Sequence, residues 1–228
     1  MISASFPRIL PFALFMACIG AEEMLRFFSS RGAIALTPVS FLYLYPIRAI
    51  SAALALFLLR SRYNEIRLHD LANHRKTLVS VVVGILVFIL WINMDWMLAG
   101  QGTPQGFNPN LIADPVMRNI MIACRLAGAA VVVPIMEELF WRSFLLRYII
   151  DKEFTSVPIG LFTWPSFLIT VVLFGLEHHL FLAGIMAGIA YSGLLYFTRS
   201  ILLCIVSHGV TNLLLGIYVL TSGKWHFW

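Results

Sequence analysis

Charged side chains are scarce in this sequence. Of its 228 residues only 12% are Asp, Glu, Lys or Arg, whereas 60% are apolar. Because soluble domains carry roughly a quarter charged residues, this chain has too few polar groups to cover a globular surface in water. The composition therefore excludes a soluble globular protein and indicates an integral membrane protein, with the lipid bilayer as its solvent.

Acidic residues are fewer than basic ones, which gives a net charge of +5. In a soluble protein this excess would suggest a nucleic-acid partner. Here the connector from Arg60 to Lys76 holds five basic residues between apolar segments. The positive-inside rule explains such clustering and predicts that this connector is cytoplasmic. We therefore expect no nucleic-acid partner.

Cysteine is rare, and several hydrolase motifs are missing. Cys18, Cys124 and Cys204 lie in apolar stretches without C-x-x-C spacing, which argues against a disulfide framework. The sequence has neither the G-x-S-x-G turn of serine hydrolases nor the H-E-x-x-H helix of many zinc peptidases. Serine-hydrolase and site-2-type metalloprotease interpretations therefore lose support.

Apolar segments predict the fold. The segment 117–150 exceeds the ~20 residues that a span needs and is expected to continue beyond the membrane. The segment 166–198 must make two passes, so one of its helices must be short, broken or re-entrant. An eighth element within 97–150 stays open. We predict an all-α, polytopic transmembrane bundle of seven to eight spans, forming a single domain over 1–228. The seven segments are 9–28, 41–59, 78–96, 117–150, 166–180, 182–198 and 200–220.

The loops predict the orientation of the bundle. The connector 97–116 contains no basic residue and many turn formers, as expected of an external loop. Trp91 and Trp96 suit the membrane interface before it. Counting spans from the cytoplasmic connector then places the N-terminus inside and the C-terminus outside.

Ionisable side chains occur within three of the apolar segments. They are Glu137 and Glu138, then His178, then His208. Because such groups are costly in hydrocarbon, their presence indicates a functional site. At 1.5 Å per residue, all of them lie roughly 12–18 Å from the predicted cytoplasmic ends of their helices. We therefore predict that they converge on one site.

Residues four apart share a helical face and can pair. Glu138 and Arg142 have this spacing, as do His208 and Asn212. We interpret Glu138 with Arg142 as an ion pair that supports the site. Glu137 projects roughly 100° away without a basic partner on its own turn, which favours it as a general base.

Three neighbouring polar residues follow Phe174. His178 lies four residues after it and shares its face, whereas His179 and Glu177 project from other faces of that helix. We therefore expect His178 to act in the chemistry. His179 and Glu177 are weaker candidates.

Other charged residues lie beside apolar segments. Glu22 and Arg26 are four apart, and we interpret them as an interfacial salt bridge at the external end of the first span. For Arg48 and Arg125, pairing with another helix and binding of a substrate carboxylate both stay open. Pairing is the favoured interpretation.

The predicted site has a definite chemistry. A carboxylate and a histidine can together hold and deprotonate a water that attacks an amide carbonyl. A second histidine and an asparagine on one helical face can donate hydrogen bonds to the resulting oxyanion. A zinc ion held by Glu137, His178 and His208 stays open as an alternative, with Asn212 outside the metal's ligands.

Three spacings resemble the motifs of a known family, the CAAX protease and bacteriocin-processing enzyme (Abi-type) membrane proteases. That family includes the CAAX prenyl endopeptidase, which trims prenylated Ras-like proteins. The resemblance covers about 120–220, within the motif-bearing half of the chain (about 117–220), whereas the first hundred residues share little beyond hydrophobicity. The motifs, in family order, are Glu137-Glu138-x-x-x-Arg142, Phe174-x-x-x-His178 and His208-x-x-x-Asn212.

The resemblance implies an eight-helix, mostly α membrane fold and a glutamate-dependent endopeptidase. It implies that Glu137 and His178 activate water and that His208 and Asn212 form the oxyanion hole. The carboxylate–arginine pair of the first motif would hold the site together. This mechanism needs no metal, so we expect no required cofactor.

The resemblance also implies substrates and a location. Expected substrates are membrane-embedded or lipidated peptides and proteins, cut near the C-terminus or a signal segment. The compact length resembles bacterial members, which implies the bacterial cytoplasmic (inner) membrane.

Two other function classes stay open. In a proton-coupled transporter, Glu137, His178 and His208 would form a relay. Such a carrier predicts an internal repeat of the spans, which the sequence lacks. A non-catalytic membrane adaptor of the same fold would be expected to lose one motif residue, yet all of them are present.

Overall fold

The computed structural model describes residues 3–94 and 106–228. Within these residues the chain forms helices and no strand, and each of the seven apolar segments coincides with a helix. Short 3-10 turns lie at Arg60–Arg62, Leu68–Ala72, Pro109–Leu111 and Trp225–Phe227. The seven helices are α1 (Phe6–Ser30), α2 (Pro38–Leu58), α3 (His74–Asn93), α4 (Pro115–Ile150), α5 (Trp164–Leu176), α6 (Phe181–Thr198) and α7 (Ile201–Ser222).

Five helices are long and apolar enough to cross a membrane, namely α2, α3, α4, α6 and α7. Helix α5 is apolar but has only 13 residues, so it is the short helix predicted within 166–198. An all-helical membrane fold is therefore confirmed. The total of seven to eight spans and the orientation stay predictions. Trp96 and much of the predicted external loop lie outside the described residues.

Local sequence sets the helix ends near the motifs. Asp114 caps α4, because its Oδ1 accepts a hydrogen bond from the Met117 N–H at 2.7 Å. Ser200 Oγ accepts one from the Leu203 N–H at 3.3 Å and so caps α7. Arg199 ends α6 with a left-handed backbone, φ 55°. The resulting connection of two residues places α7 directly beside α6.

Helix α4 is continuous over 36 residues but contains two π-helical segments, Gly128–Val132 and Leu139–Leu145. They flank the short α-helical stretch that carries both glutamates. Pro134 has no N–H to donate to the preceding turn, which explains why the first π segment lies just before it. Single π-helical turns often occur at functional sites. The sequence analysis did not predict them.

Glycines allow α5 and α6 to approach closely. A Cβ added to Gly184 would lie 2.9 Å from the Cα of Gly175, and one added to Gly175 would lie 2.7 Å from the Ile185 side chain. Small residues commonly form such contacts between membrane helices. Because His178 lies just after α5, this contact fixes its position relative to α6.

We expect Gly184→Ala to destabilise the protein by about 1–3 kcal/mol, because the added methyl group overpacks the α5–α6 contact. The matched control is Gly193→Ala on the same helix, where an added Cβ would meet nothing within 4 Å. That change is expected to raise stability by up to about 1 kcal/mol through helix propensity. Thermal unfolding in detergent compares the two, and equal melting temperatures would contradict the close packing.

A buried polar network joins α1 to α4. Arg8 donates to both carboxylate oxygens of Glu65, at 2.8 and 2.7 Å. Ser143, in the second π segment, donates to Glu65 Oε1 at 2.5 Å. Arg147 Nη2 donates to Ser143 Oγ at 2.9 Å. Because buried charges need such partners, the network anchors the end of α4 that follows the glutamates.

Candidate active site

One cavity of about 250 Å³ collects side chains from most of the bundle. Its lining includes four of the six residues that the sequence singled out: Glu137 on α4, His178 just after α5, and His208 and Asn212 on α7. The other two form a buried ion pair beside it. The structure therefore brings the three motifs together, at the convergence that the helix depths predicted.

His208 lies between the two glutamates. Its Nδ1 is 3.0 Å from Glu138 Oε1, and its Nε2 is 3.9 Å from Glu137 Oε2. The shorter distance is a hydrogen bond, in which Nδ1–H donates to the carboxylate, whereas the longer one exceeds hydrogen-bonding range. The contact with Glu138 therefore orients the imidazole and directs Nε2 toward Glu137.

Glu138 and Arg142 form the ion pair that their spacing predicted. Arg142 Nη1 donates to Glu138 Oε1 at 3.1 Å, and both side chains are 0% exposed. The Arg142 guanidinium carbon also lies 4.3 Å from the centre of the Phe174 ring. Since Glu138 Oε1 accepts from both Arg142 and His208, this one oxygen links α4 to α7.

The tautomer of His178 follows from its contacts. Its Nδ1 is 2.7 Å from the Phe174 carbonyl oxygen. Because a carbonyl only accepts, Nδ1 carries the proton, and Nε2 of the neutral ring is an acceptor. The ring packs against Phe174 and Trp91, with ring centres 4.7 and 5.3 Å away. Nε2 therefore has the character needed to hold a water molecule.

The neighbours of His178 point elsewhere. His179 is exposed and does not line the cavity. Glu177 accepts a hydrogen bond from Trp141 Nε1 at 3.0 Å and is likewise absent from the lining. The spacing from Phe174 thus selects the histidine that the cavity contains.

Asn212 bridges α7 and the first π segment of α4. Its Nδ2 donates to the Ala129 carbonyl at 2.9 Å, in the turn that Pro134 leaves without a donor. Gly209 allows this approach, since a Cβ there would lie 2.9 Å from the Ala130 carbonyl oxygen. An amide nitrogen has two N–H groups, and within the described residues the second makes no hydrogen bond. That N–H can serve a ligand in the cavity.

Tyr191 also contacts the site, although the sequence did not indicate it. Its ring stacks on His208, with centres 4.9 Å apart, and its hydroxyl donates to Thr211 at 2.8 Å. An aromatic residue on an apolar helix is usually a core residue, so the sequence contained no signal that Tyr191 would stack on His208. Tyr191 therefore packs against one face of the His208 ring and helps to hold the ring in place.

The sequence left open a zinc ion held by Glu137, His178 and His208. Within residues 3–94 and 106–228, no group of three or more His, Cys, Asp or Glu side chains is arranged to hold a metal ion. Glu137, His178 and His208 line one cavity without forming such a group. Whether the site needs a metal stays a prediction.

Comparison with known families agrees with the resemblance. Residues 119–214 match the model of a family described as type II CAAX prenyl endopeptidase Rce1-like. This segment holds all three motifs, from Glu137 to Asn212. No curated protein and no solved structure matches the chain. The chain is therefore an integral membrane protein, and its segment 119–214 matches the model of the CAAX protease family.

Proposed function

We propose that this protein is an intramembrane endopeptidase in which Glu137 activates a water molecule for attack on a peptide bond. One observation carries the proposal. Glu137 faces the same cavity as His178 and His208, and its Oε2 is buried without a hydrogen-bond partner in the described part of the chain. A carboxylate placed in this way is suited to take a proton from water.

The proposed reaction uses the chain's own side chains. Water held by Glu137 and His178 Nε2 gives a proton to Glu137 as its oxygen attacks the substrate carbonyl carbon. The oxyanion accepts hydrogen bonds from Asn212 Nδ2 and from His208 Nε2, the latter in its imidazolium form. Glu137 then passes its proton to the leaving amine as the C–N bond breaks. The products are a carboxylate and an amine.

The supporting residues have separate proposed roles. Glu138 and Arg142 do not line the cavity, so they act as positioning residues. Glu138 holds His208 through Nδ1, and Arg142 balances the buried carboxylate. A site held in this way loses little freedom when the transition state forms.

The surroundings support a class of substrate. The cavity lies among apolar helices, and much of its lining is aromatic or aliphatic, including Phe15, Trp91 and Leu215. We propose that the substrates are membrane-embedded or lipidated peptides and proteins, cut near the C-terminus or a signal segment. The proposed location is the bacterial cytoplasmic membrane.

Cleavage of membrane-anchored fluorogenic peptides by the purified protein tests this proposal. We expect the rate to be unchanged by a zinc chelator, because no step uses a metal. A zinc peptidase in the same buffer serves as the control that must lose activity. Loss of cleavage on chelation, with recovery on adding zinc, would contradict the side-chain mechanism.

A further inference from the structure

We propose that Arg48 and Arg125 form a carboxylate-binding subsite in the active-site cavity, where they bind the free C-terminus of the substrate. The inference rests on the proposed peptidase function and adds which side chains would bind the substrate's C-terminal carboxylate. Both arginines line the same cavity as Glu137. The sequence had left both helix pairing and carboxylate binding open and favoured pairing, which Arg48 makes with Glu22 at 3.4 Å.

The cavity extends along one face of α4. Arg125, Ala129, Val133 and Glu137 all line it, and they are spaced by four residues. Twelve residues of straight helix correspond to about 18 Å along the axis, and the π-helical turn shortens this. The arginine therefore lies at a different level of the cavity from the glutamate, about three turns away.

Arg125 carries a charge that no carboxylate balances. Within residues 3–94 and 106–228 it forms no ion pair, and its buried Nε makes no hydrogen bond. Its guanidinium carbon lies 4.2 Å from the centre of the Tyr45 ring and 5.7 and 5.8 Å from those of Phe107 and Trp228. Aromatic faces stabilise a cation without neutralising it. The guanidinium is thus held in place with its charge uncompensated.

Arg48 adds to this excess of positive charge. Its Nη1 is 3.4 Å from Glu22 Oε2, but Glu22 also accepts from Arg26 at 2.6 Å. The partly buried Glu22 thus contacts two arginines, of which Arg26 also lies 4.0 Å from Glu23, while Arg48 Nε has no partner in the described part of the chain. Unbalanced charge is costly among membrane helices, so this arrangement favours an anionic ligand.

A peptide carboxylate suits the position and the chemistry. Guanidinium groups bind carboxylates through two parallel hydrogen bonds. An extended peptide spans about 3.3–3.6 Å per residue. If its scissile bond lies at Glu137, at most about five extended residues fit between that bond and Arg125. The subsite would therefore favour cleavage within about five residues of a free C-terminus.

The test uses pairs of membrane-anchored peptides that differ only in a terminal carboxylate or carboxamide. For the wild type we expect kcat/KM to be about 10- to 100-fold higher for the acid, the size of one or two charged hydrogen bonds. Arg125→Gln should remove most of this preference, bringing the rate for the acid close to that for the amide. Arg125→Lys, which keeps the charge without the planar fork, should lie between them.

Arg26→Gln is the matched control, because Arg26 shares Glu22 with Arg48 but does not line the cavity. It should keep the preference for the acid. Equal cleavage of acid and amide by the wild type, while Glu137→Gln is inactive, would overturn the subsite and leave the peptidase proposal intact.

A binding measurement gives an answer without turnover. Fluorescence anisotropy compares both labelled peptides on Glu137→Gln protein, with and without Arg125→Gln. Tighter binding of the acid that requires Arg125 supports the subsite. If no peptide is cleaved in spite of such binding, the absence of cleavage counts against the peptidase proposal alone. Equal or absent binding of both overturns the subsite. An Arg125-dependent rise in melting temperature with phosphatidylglycerol vesicles, without any acid preference, would assign the anion to a lipid and also overturn it.

Discussion

Glu137→Gln is expected to lower kcat/KM for peptide cleavage by about 100- to 10,000-fold, the usual contribution of a general base. The amide keeps the size of the side chain but cannot take a proton from water. Because Glu137 Oε2 has no hydrogen-bond partner within the described residues, the change should leave the fold intact. Initial rates on one membrane-anchored peptide measure the loss.

The control for this prediction is Glu23→Gln. Glu23 is a glutamate of the same size, 70% exposed and 4.0 Å from Arg26, so its replacement should change neither rate nor melting temperature. If Glu137→Gln cleaves as fast as the wild type, Glu137 is not the base.

Glu138→Leu is expected to lower the free energy of unfolding by about 3–5 kcal/mol. It leaves Arg142 as an unpaired charge at a site where both side chains are 0% exposed, and breaking a buried pair by removing one partner costs about this much. Unfolding in detergent, followed by circular dichroism, measures the change. A single variant as stable as the wild type would contradict a structural role for the pair.

The double variant Glu138→Leu/Arg142→Met separates stability from activity. Replacing both charges with apolar groups of similar volume should recover most of the lost stability. Activity should stay low, because His208 Nδ1 loses the carboxylate that orients it. A double variant with wild-type cleavage would show that this orientation is not needed.

The sequence predicted the helices and the motif contacts well, for physical reasons. Hydrophobic runs in a membrane protein are strong local signals, and every apolar segment became a helix. The four-residue spacing is also local, and it predicted the Glu138–Arg142 contact at 3.1 Å and the placement of His178 beside Phe174. Counting residues from the predicted helix ends also placed His208 at the same membrane depth as Glu137 and His178.

What the sequence missed depends on packing between distant segments. The first π-helical segment of α4 lies where Pro134 and the contact of Asn212 with Ala129 meet, and neither residue alone indicates it. Tyr191 gains its role only because α6 lies against α7. Arg125 faces the cavity for a similar reason, since its aromatic neighbours come from separate parts of the chain.

The central claim is that Glu137 moves a proton and forms no bond to the substrate. Single-turnover cleavage in water labelled with heavy oxygen tests it directly, with mass spectrometry of the products and of the enzyme peptide that contains residue 137. Attack by water predicts one heavy oxygen in the new carboxylate of the product and none in Glu137. Heavy oxygen in the Glu137 carboxylate would reveal an acyl-glutamate intermediate and contradict the proposed mechanism.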